Sequence, residues 1–348
     1  MTSRMRAEIG EQPAAVAATL DALLPLAREI ERLGTGQRQV LFIARGSSDN
    51  AAVFGQYVCS VRGGRLGVLA SPSLATAYRA RVSLDGVLAV SVSQSGETEE
   101  IVATQAWARS CGARTVAVTN GEGSPLSVQA DLALVTRAGE ELAVPATKTF
   151  TTQLAALAVL GLALGGDRAG LEALRSVPDA VSSALGAAPA AEALAERLTY
   201  VERLVVSARG YAYAVARELA LKLEEACYVT ALGLSYADLE HGPIAVVDAE
   251  TPALLIAAAR DESMLQGMTA LARRCRDEGG HVYGIGGDPG FVSACRSALA
   301  EAALPAYLSP LTLVVPGQLL VESLARAKGI DPDAPRGLRK VTQTSGSG

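Results

Sequence analysis

Short apolar runs alternate with helix-length stretches through most of the chain. In the first half the runs fall at residues 39–44, 66–70, 87–93, 115–119 and 132–136. Each is short and near-continuously apolar, the pattern of a strand buried on both faces, and the stretches between them carry helical periodicity. Such alternation predicts a parallel sheet covered by helices on both sides. A helix is expected over residues 2–33 and another over 147–164, followed by a boundary at Gly165-Gly166-Asp167. Residues 171–198 lead into a second half that repeats the plan, with strands expected at 204–208, 253–257, 282–285 and, as a weaker candidate, 304–308. LFIARG at 41–46 and LVVSARG at 204–210 echo one another, each a strand ending in Ala-Arg-Gly. The expected fold class is therefore α/β: two tandem doubly wound domains, each an open flavodoxin-like parallel sheet. The division predicted is 1–168, 169–330 and a tail at 331–348, after a last helix at 317–328. The closing TSGSG is expected to be disordered.

Composition narrows the class of protein. The 348 residues are 49% hydrophobic and 19% charged, which suits globular domains with substantial cores. No apolar run reaches the ~20 residues that span a bilayer, and MTSRMRAEIGEQP lacks the apolar core of a signal peptide. The five cysteines are scattered without a CxxC, as expected for free thiols in a cytoplasmic protein. Two histidines, His241 and His281, are too few for a histidine-rich metal site, and His281 is expected to be structural. No metal or cofactor is expected. A net charge of −5 argues against general nucleic-acid binding but leaves room for a small anionic ligand, whose site depends on local donors.

The chemistry concentrates in residues 218–247, ELALKLEEACYVTALGLSYADLEHGPIAVV. Leu219, Leu223 and Ala226 mark the apolar face of a helix, and Lys222 and Glu225 share another face, with Glu218 as an alternative partner for Lys222. A loop with Asp238, Glu240 and His241 follows, closed by Gly242-Pro243, and an apolar run after it reads as a strand. A carboxylate, an ammonium and an imidazole in one segment can move protons. In open α/β sheets ligands lie beyond the carboxyl ends of strands. Three first-half loops fall there: 45–50 with Ser47 and Ser48, 93–98 with Ser93, Gln94, Ser95 and Thr98, and 144–149 with Val144, Ala146 and Lys148. Hydroxyls and free N–H groups at a helix start suit a phosphate, although simple N-capping by Ser95 would explain it equally well. Lys148 could meet phosphate or a carboxylate such as Glu141, and the ion pair is the better expectation. Gly284–Gly290 lacks GxGxxG spacing, and with Pro289 at the expected helix start it reads as a turn.

KLEEACY followed by YADLEHGP, together with SQSGET, resembles the sugar-isomerase domains, those of the isomerase half of glucosamine-6-phosphate synthase and of stand-alone amino-sugar-phosphate isomerases and deaminases. The likeness covers nearly the whole chain. It implies that Ser93, Gln94, Ser95 and Thr98 hold a sugar phosphate with Ser47 and Ser48 near it, and that the 144–149 loop, with Val144 and Ala146, lies beside the sugar. It further implies Glu225 as the base that moves a proton between C2 and C1, Lys222 as its partner or an oxyanion stabiliser, and His241 as the ring-opening acid/base. The family's histidine acts in the neighbouring subunit, which implies a homodimer. Lys340, in DPDAPRGLRKVT, corresponds to the lysine that closes over the substrate at O1. Arg45 and Asp49 stand where the synthase has cysteine and tyrosine, and ARGSSDNA and GLRKVTQT resemble the deaminase branch. A glutaminase half would precede MRAEIGEQP in the synthase, so no glutamine hydrolysis is expected of this chain.

The leading expectation is an enzyme turning an aminohexose 6-phosphate, first of all glucosamine 6-phosphate, into fructose 6-phosphate and ammonia. The same residues could instead expel the C3 oxygen of an N-acetylated substrate, making a lyase; turnover of the N-acetyl sugar without ammonia would reveal it. A sugar-phosphate sensor would bind tightly without turnover. It would have no use for Glu225, His241 and Lys340 together.

Overall fold

The structure is a computed structural model and describes residues 2–340. The disorder expected of TSGSG falls outside the described residues, as do the last residues of the 331–348 tail. Two compact units are present. One takes Ala14–Glu141, Lys148–Ser176 and the described residues from Arg339 on; the other takes the described residues up to Pro13, Leu142–Thr147 and Val177–Leu338.

The first unit is built on β1 (Gln39–Ile43), β2 (Leu66–Leu69), β3 (Val87–Val92), β4 (Arg114–Thr119) and β5 (Leu132–Val135), all parallel in the order β2-β1-β3-β4-β5. All five apolar runs of the first half therefore form strands. Every residue of β3 is buried, because a central parallel strand is covered on both faces. Chain direction reverses its winding between β1 and β3, which pair in register from Gln39↔Val87 to Ile43↔Ser91. The loops that leave these two strands are consequently neighbours, and this is the crevice where open α/β sheets take ligands. The helices Ser47–Val61 and Lys148–Leu164 pack on each other, and the second is buried along its whole length.

The second unit repeats the plan with β6 (Arg203–Ala208), β7 (Thr230–Ser235), β8 (Ala253–Ala257), β9 (Val282–Gly286) and β10 (Ser297–Leu299) in the order β10-β9-β8-β6-β7. Counted within the unit, the order is the same as in the first, so both are doubly wound flavodoxin-like sheets. The helix Pro310–Ala327 is buried almost throughout and packs against the helices Ala188–Leu198 and Tyr213–Cys227.

Several elements differ from expectation. The helix expected over 2–33 is three helices, Arg4–Gly10, Gln12–Leu23 and Ala27–Leu33, with Leu24–Leu26 as a 3₁₀ turn around Pro25, which has no N–H to give a continuous ladder. The 304–308 run is not a strand: Ala306–Leu308 is a 3₁₀ turn after Pro305, and its apolar character is spent burying Leu304 and Leu308. The apolar run after Gly242 is likewise a 3₁₀ turn, Pro243–Val246, not a strand. Gly284–Gly290 is more than a turn. β9 runs through Gly286, and Pro289 opens the helix Pro289–Ala294, where its fixed φ suits the first helical position and Asp288 caps Phe291.

Candidate active site

In the first unit, β1 runs into Arg45-Gly46 and the helix Ser47–Val61, so Ser47 and Ser48 open a helix at the carboxyl end of the sheet. The Ser48 hydroxyl accepts from Gln153 Nε2 at 3.0 Å. Beside it, β3 runs into Ser93–Thr98 and the helix Glu99–Ser110. Gly96 makes that turn with φ +68, and a Cβ there would lie 2.2 Å from Ser124 Oγ, so only glycine is accommodated. Ser93 Oγ accepts from the Gly96 N–H at 3.3 Å and Ser95 Oγ from the Glu97 N–H at 3.2 Å. The Gln94 carbonyl accepts from the Asn120 N–H at 3.0 Å and from Thr119 Oγ1 at 3.2 Å. The helix N-cap is thus Thr98 rather than Ser95, and the Thr98 hydroxyl makes no capping bond. A helix start that follows a strand at the carboxyl end of a sheet is the kind of place that accepts an anion. Arg45 ties the two loops together through a double contact with Glu100, at 3.0 and 3.1 Å.

Lys340 belongs to this unit and reaches the buried Glu141, its Nζ 2.6 Å from Oε2. Glu141 also accepts from Thr149, N–H at 3.1 Å and Oγ1 at 2.6 Å. The tail lysine is thus one cation seated on Glu141. Lys148, for which an ion pair with a carboxylate such as Glu141 was the expectation, is buried at the start of its helix.

In the second unit the helix Tyr213–Cys227 places Glu218, Lys222 and Glu225 on one face. Lys222 is almost completely buried, with its ammonium against Glu225 and 3.7 Å from Glu218 Oε1. Both partners considered for Lys222 are engaged, so a buried ammonium is flanked by two carboxylates, the condition under which such a charge is tolerated. Glu218 is fully buried, whereas the Glu225 side chain keeps 23% exposure. A carboxylate is thereby fixed at one end and open at the other. Burial pushes the neighbouring Glu224 carboxyl above its ordinary range; the Ala231 N–H opposes this and the Glu225 charge adds to it.

After β7, Ser235 caps the short helix Tyr236–Glu240 by accepting from the Asp238 N–H at 3.2 Å. His241 follows at the helix end, exposed, with Gly242 at φ +136 turning the chain into Pro243. Its ring makes no hydrogen bond or ion pair among the described residues. Val144 and Ala146 lie in the Leu142–Thr147 segment of this unit. There the Val144 N–H donates to the Asp333 carbonyl at 2.9 Å, and Gln318 Nε2 donates to the Thr147 carbonyl at 3.2 Å. Among the described residues no group of three or more His, Cys, Asp or Glu is placed to hold a metal ion, and no helix is long and apolar enough to cross a membrane. All five cysteines are free.

Two participants escaped sequence reasoning. Gln153, which anchors Ser48, closes a mostly polar opening, Lys148 to Gln153, on a helix that is apolar from Leu154 on, and that buried polarity was the available signal. Glu141 as the seat of Lys340 joins residues 199 apart, which no local pattern reports.

The model of the SIS domain matches residues 35–163 and again 197–324, one copy per sheet. The chain is 34% identical over 360 residues to a glutamine–fructose-6-phosphate aminotransferase (isomerizing) of Acidithiobacillus ferridurans, covering 97% of this chain and 58% of that protein. It thus spans little more than half the length of this curated relative. Among solved structures, the C-terminal domain of glucosamine-fructose-6-phosphate aminotransferase from Francisella tularensis superimposes with a TM-score of 0.87 at 28% identity, over 96% of this chain and 99% of that one. A glucosamine-6-phosphate deaminase from Thermotoga maritima shares the fold, with a TM-score of 0.78 at 22% identity over 98% and 100% of the two chains. With two matched copies covering most of its length, the chain belongs to the SIS domain family.

Proposed function

We propose that the chain is an amino-sugar-phosphate isomerase working as a deaminase, which converts glucosamine 6-phosphate and water to fructose 6-phosphate and ammonia. The observation that carries this reading is the buried Lys222 ammonium holding Glu225 on one side while leaving its carboxylate open on the other. Such a group is placed to act as a base rather than as a solvated surface charge.

In this reading the phosphate is held by Ser93, Gln94, Ser95 and Thr98, with Ser47 and Ser48 beside it. The unspent Thr98 hydroxyl and the glycine turn at Gly96 support that role. Val144 and Ala146 contact the sugar through their loop. His241 opens the ring. Glu225 removes the C2 proton of the open aldehyde to give an enolamine, and the proton returns to C1, leaving an imine at C2 that water hydrolyses to the ketone and ammonia. Lys222 offsets the charge that moves through Glu225, and Lys340 assists at O1. The relatives bear the names of aminotransferases. The deaminating direction is favoured by ARGSSDNA and GLRKVTQT, the motifs that resemble the deaminase branch. The exposed His241, without side-chain partners of its own among the described residues, supports a homodimer in which it serves the neighbouring subunit's substrate.

The test is incubation of purified protein with glucosamine 6-phosphate and, separately, with its N-acetyl form. Ammonia and fructose 6-phosphate from the free amine are expected, with none from Glu225→Gln. Dehydration of the N-acetyl sugar without ammonia would replace the deaminase with a lyase. Tight binding of both without turnover would replace it with a sensor.

A further inference from the structure

We propose that a cavity at the amino ends of the second sheet's strands, lined by Arg197, His281, Tyr283 and Arg296, is a binding site for a small phosphate monoester. It is independent of the function proposed above. None of its lining residues belongs to the helix Tyr213–Cys227, to the His241 segment or to the serine-rich loops after β1 and β3.

The four side chains meet because neighbouring strands begin side by side. β8, β9 and β10 are parallel neighbours, so the residues that precede them share one end of the sheet. His281 leads into β9; its N–H donates to the Asp248 carbonyl at 3.1 Å, and its carbonyl accepts from the Ala253 N–H at 2.9 Å. Arg296 leads into β10, its N–H donating to the Val282 carbonyl at 2.8 Å. Val282 belongs to the core cluster that holds Leu271 and Phe291. Side chains alternate along a strand, so His281 and Tyr283 share the opposite face. Arg197 comes from the last turn of the helix Ala188–Leu198, which packs against β10.

The cavity measures about 670 Å³, the size of a small-molecule site, and no carboxylate lines it among the described residues. Both arginines are exposed, and neither side chain makes a hydrogen bond or ion pair among the described residues. Tyr283 is only 6% exposed, yet its hydroxyl is likewise without a partner there. Asp248 is the carboxylate whose charge reaches His281, but its Oδ1 is spent on the N–H groups of Glu250 and Thr251, at 2.8 and 2.6 Å. Burial holds the His281 imidazole below its ordinary range; the Arg296 charge adds to this and Asp248 opposes it. Two guanidiniums, an imidazole and a phenol hydroxyl therefore border one space in which no anionic group answers the positive charge. Guanidinium forks match phosphate oxygens, and a phosphate offers three of them where a carboxylate offers two. The volume leaves room for an organic remainder, with Val201 and Pro252 as apolar wall.

The experiment follows the imidazole carbon–proton resonances by nuclear magnetic resonance while glycerol 3-phosphate is added to the whole protein at fixed pH and ionic strength. The chain has two histidines, so His281→Gln assigns both signals. The His281 signal should move and saturate, and Arg197→Ala and Arg296→Ala should each raise the Kd about tenfold. Both arginines are exposed, so the melting temperatures of these variants should stay within about 2 °C of wild type. Arg296→Lys, which keeps the charge and loses the fork, should raise the Kd about threefold. Ser95→Ala, altered in the loop after β3, should leave the His281 titration unchanged. Glycerol or acetate at the same concentration should leave the signal in place, and inorganic phosphate should bind more weakly than the monoester.

A stationary His281 signal, undiminished affinity in both arginine→alanine variants, or a response to acetate as strong as to phosphate would overturn the site. Loss of the response in Ser95→Ala would assign the phosphate to that loop and overturn it equally. Tighter binding of inorganic phosphate than of glycerol 3-phosphate would overturn the monoester as its ligand.

Discussion

At the scale of single residues, Lys222 illustrates how burial makes a charge informative. An ammonium at 2% side-chain exposure between Glu218 and Glu225 is a local network, and deleting one member leaves the others with unbalanced charge. Lys222→Ala is expected to destabilise the fold by about 3 kcal/mol, measured by urea unfolding. Glu225→Gln, at a partly open position, should leave the unfolding midpoint nearly unchanged while kcat for glucosamine 6-phosphate falls by about 10²–10⁴. The Lys222–Glu225 pair was legible in the sequence because helical periodicity alone puts residues three apart on one face. The burial that separates a fully enclosed Glu218 from an open Glu225 was not, because it depends on how this helix packs against Pro310–Ala327. The Glu141–Lys340 pair was hidden for a related reason: only folding brings residues so distant in sequence within 2.6 Å.

At the scale of elements, strands buried on both faces, such as β3 and β8, where every position is apolar or small, stood out in the sequence, and the part-exposed edges β2 and β5 of the first sheet were legible because their runs are still apolar. The two that were missed, β7 and β10, are the edges of the second sheet. β7 reads TALGLS, with Gly233 where an added Cβ would lie 3.0 Å from the Arg217 Cα, and β10 has only three residues, so neither carries a hydrophobic run long enough to stand out. The misread 243–247 and 304–308 segments are the converse: Ile244, Val247, Leu304 and Leu308 are buried in or beside 3₁₀ turns that proline starts. The 93–98 loop yields a prediction at this scale. Gly96→Ala must clear Ser124 and adopt φ +68, so the turn should deform and the KM for glucosamine 6-phosphate should rise about tenfold or more, with a lowered melting temperature.

The far end of β10 gives another. Glu301 Oε1 accepts from the Ala259 N–H, just past β8, at 2.6 Å, while Oε2 is buried without a hydrogen-bond partner. Burial pushes its carboxyl up to about 7, against the opposing Ala259 bond and Arg260 charge. A carboxyl whose folded value is raised penalises the ionised folded state. Its stability is therefore full below the ordinary carboxyl range, lost as pH climbs to about 7, and constant beyond. The loss is on the order of 3 kcal/mol. Urea unfolding should show that decline in wild type between pH 5 and 8, and Glu301→Gln should flatten it.

At the scale of the whole molecule, two copies of one doubly wound plan carry unequal equipment. The serine-rich loop after β3 has as its counterpart after β8 the segment Ala258-Ala259-Arg260-Asp261, which lacks the hydroxyls. The duplication was visible in the LFIARG and LVVSARG echo, and the unequal loops explain why one copy reads as a phosphate site and the other does not. If His241 serves a neighbouring subunit, Glu225→Gln and His241→Asn proteins are each inactive alone. Mixed, unfolded and reassembled in equal amounts, they should recover about a quarter of wild-type turnover, because half of the dimers then hold one intact site of two. No recovery would place His241 beside the Glu225 of its own chain.

The central claim is that Glu225 carries a proton from C2 to C1 of an amino-sugar phosphate. Glucosamine 6-phosphate turned over in deuterium oxide, followed by nuclear magnetic resonance, tests it most directly. Deuterium at C1 of fructose 6-phosphate, accompanied by ammonium and absent with Glu225→Gln, is the predicted result. Undiminished C1 labelling by the Glu225→Gln protein, or no product from the wild type, would contradict it.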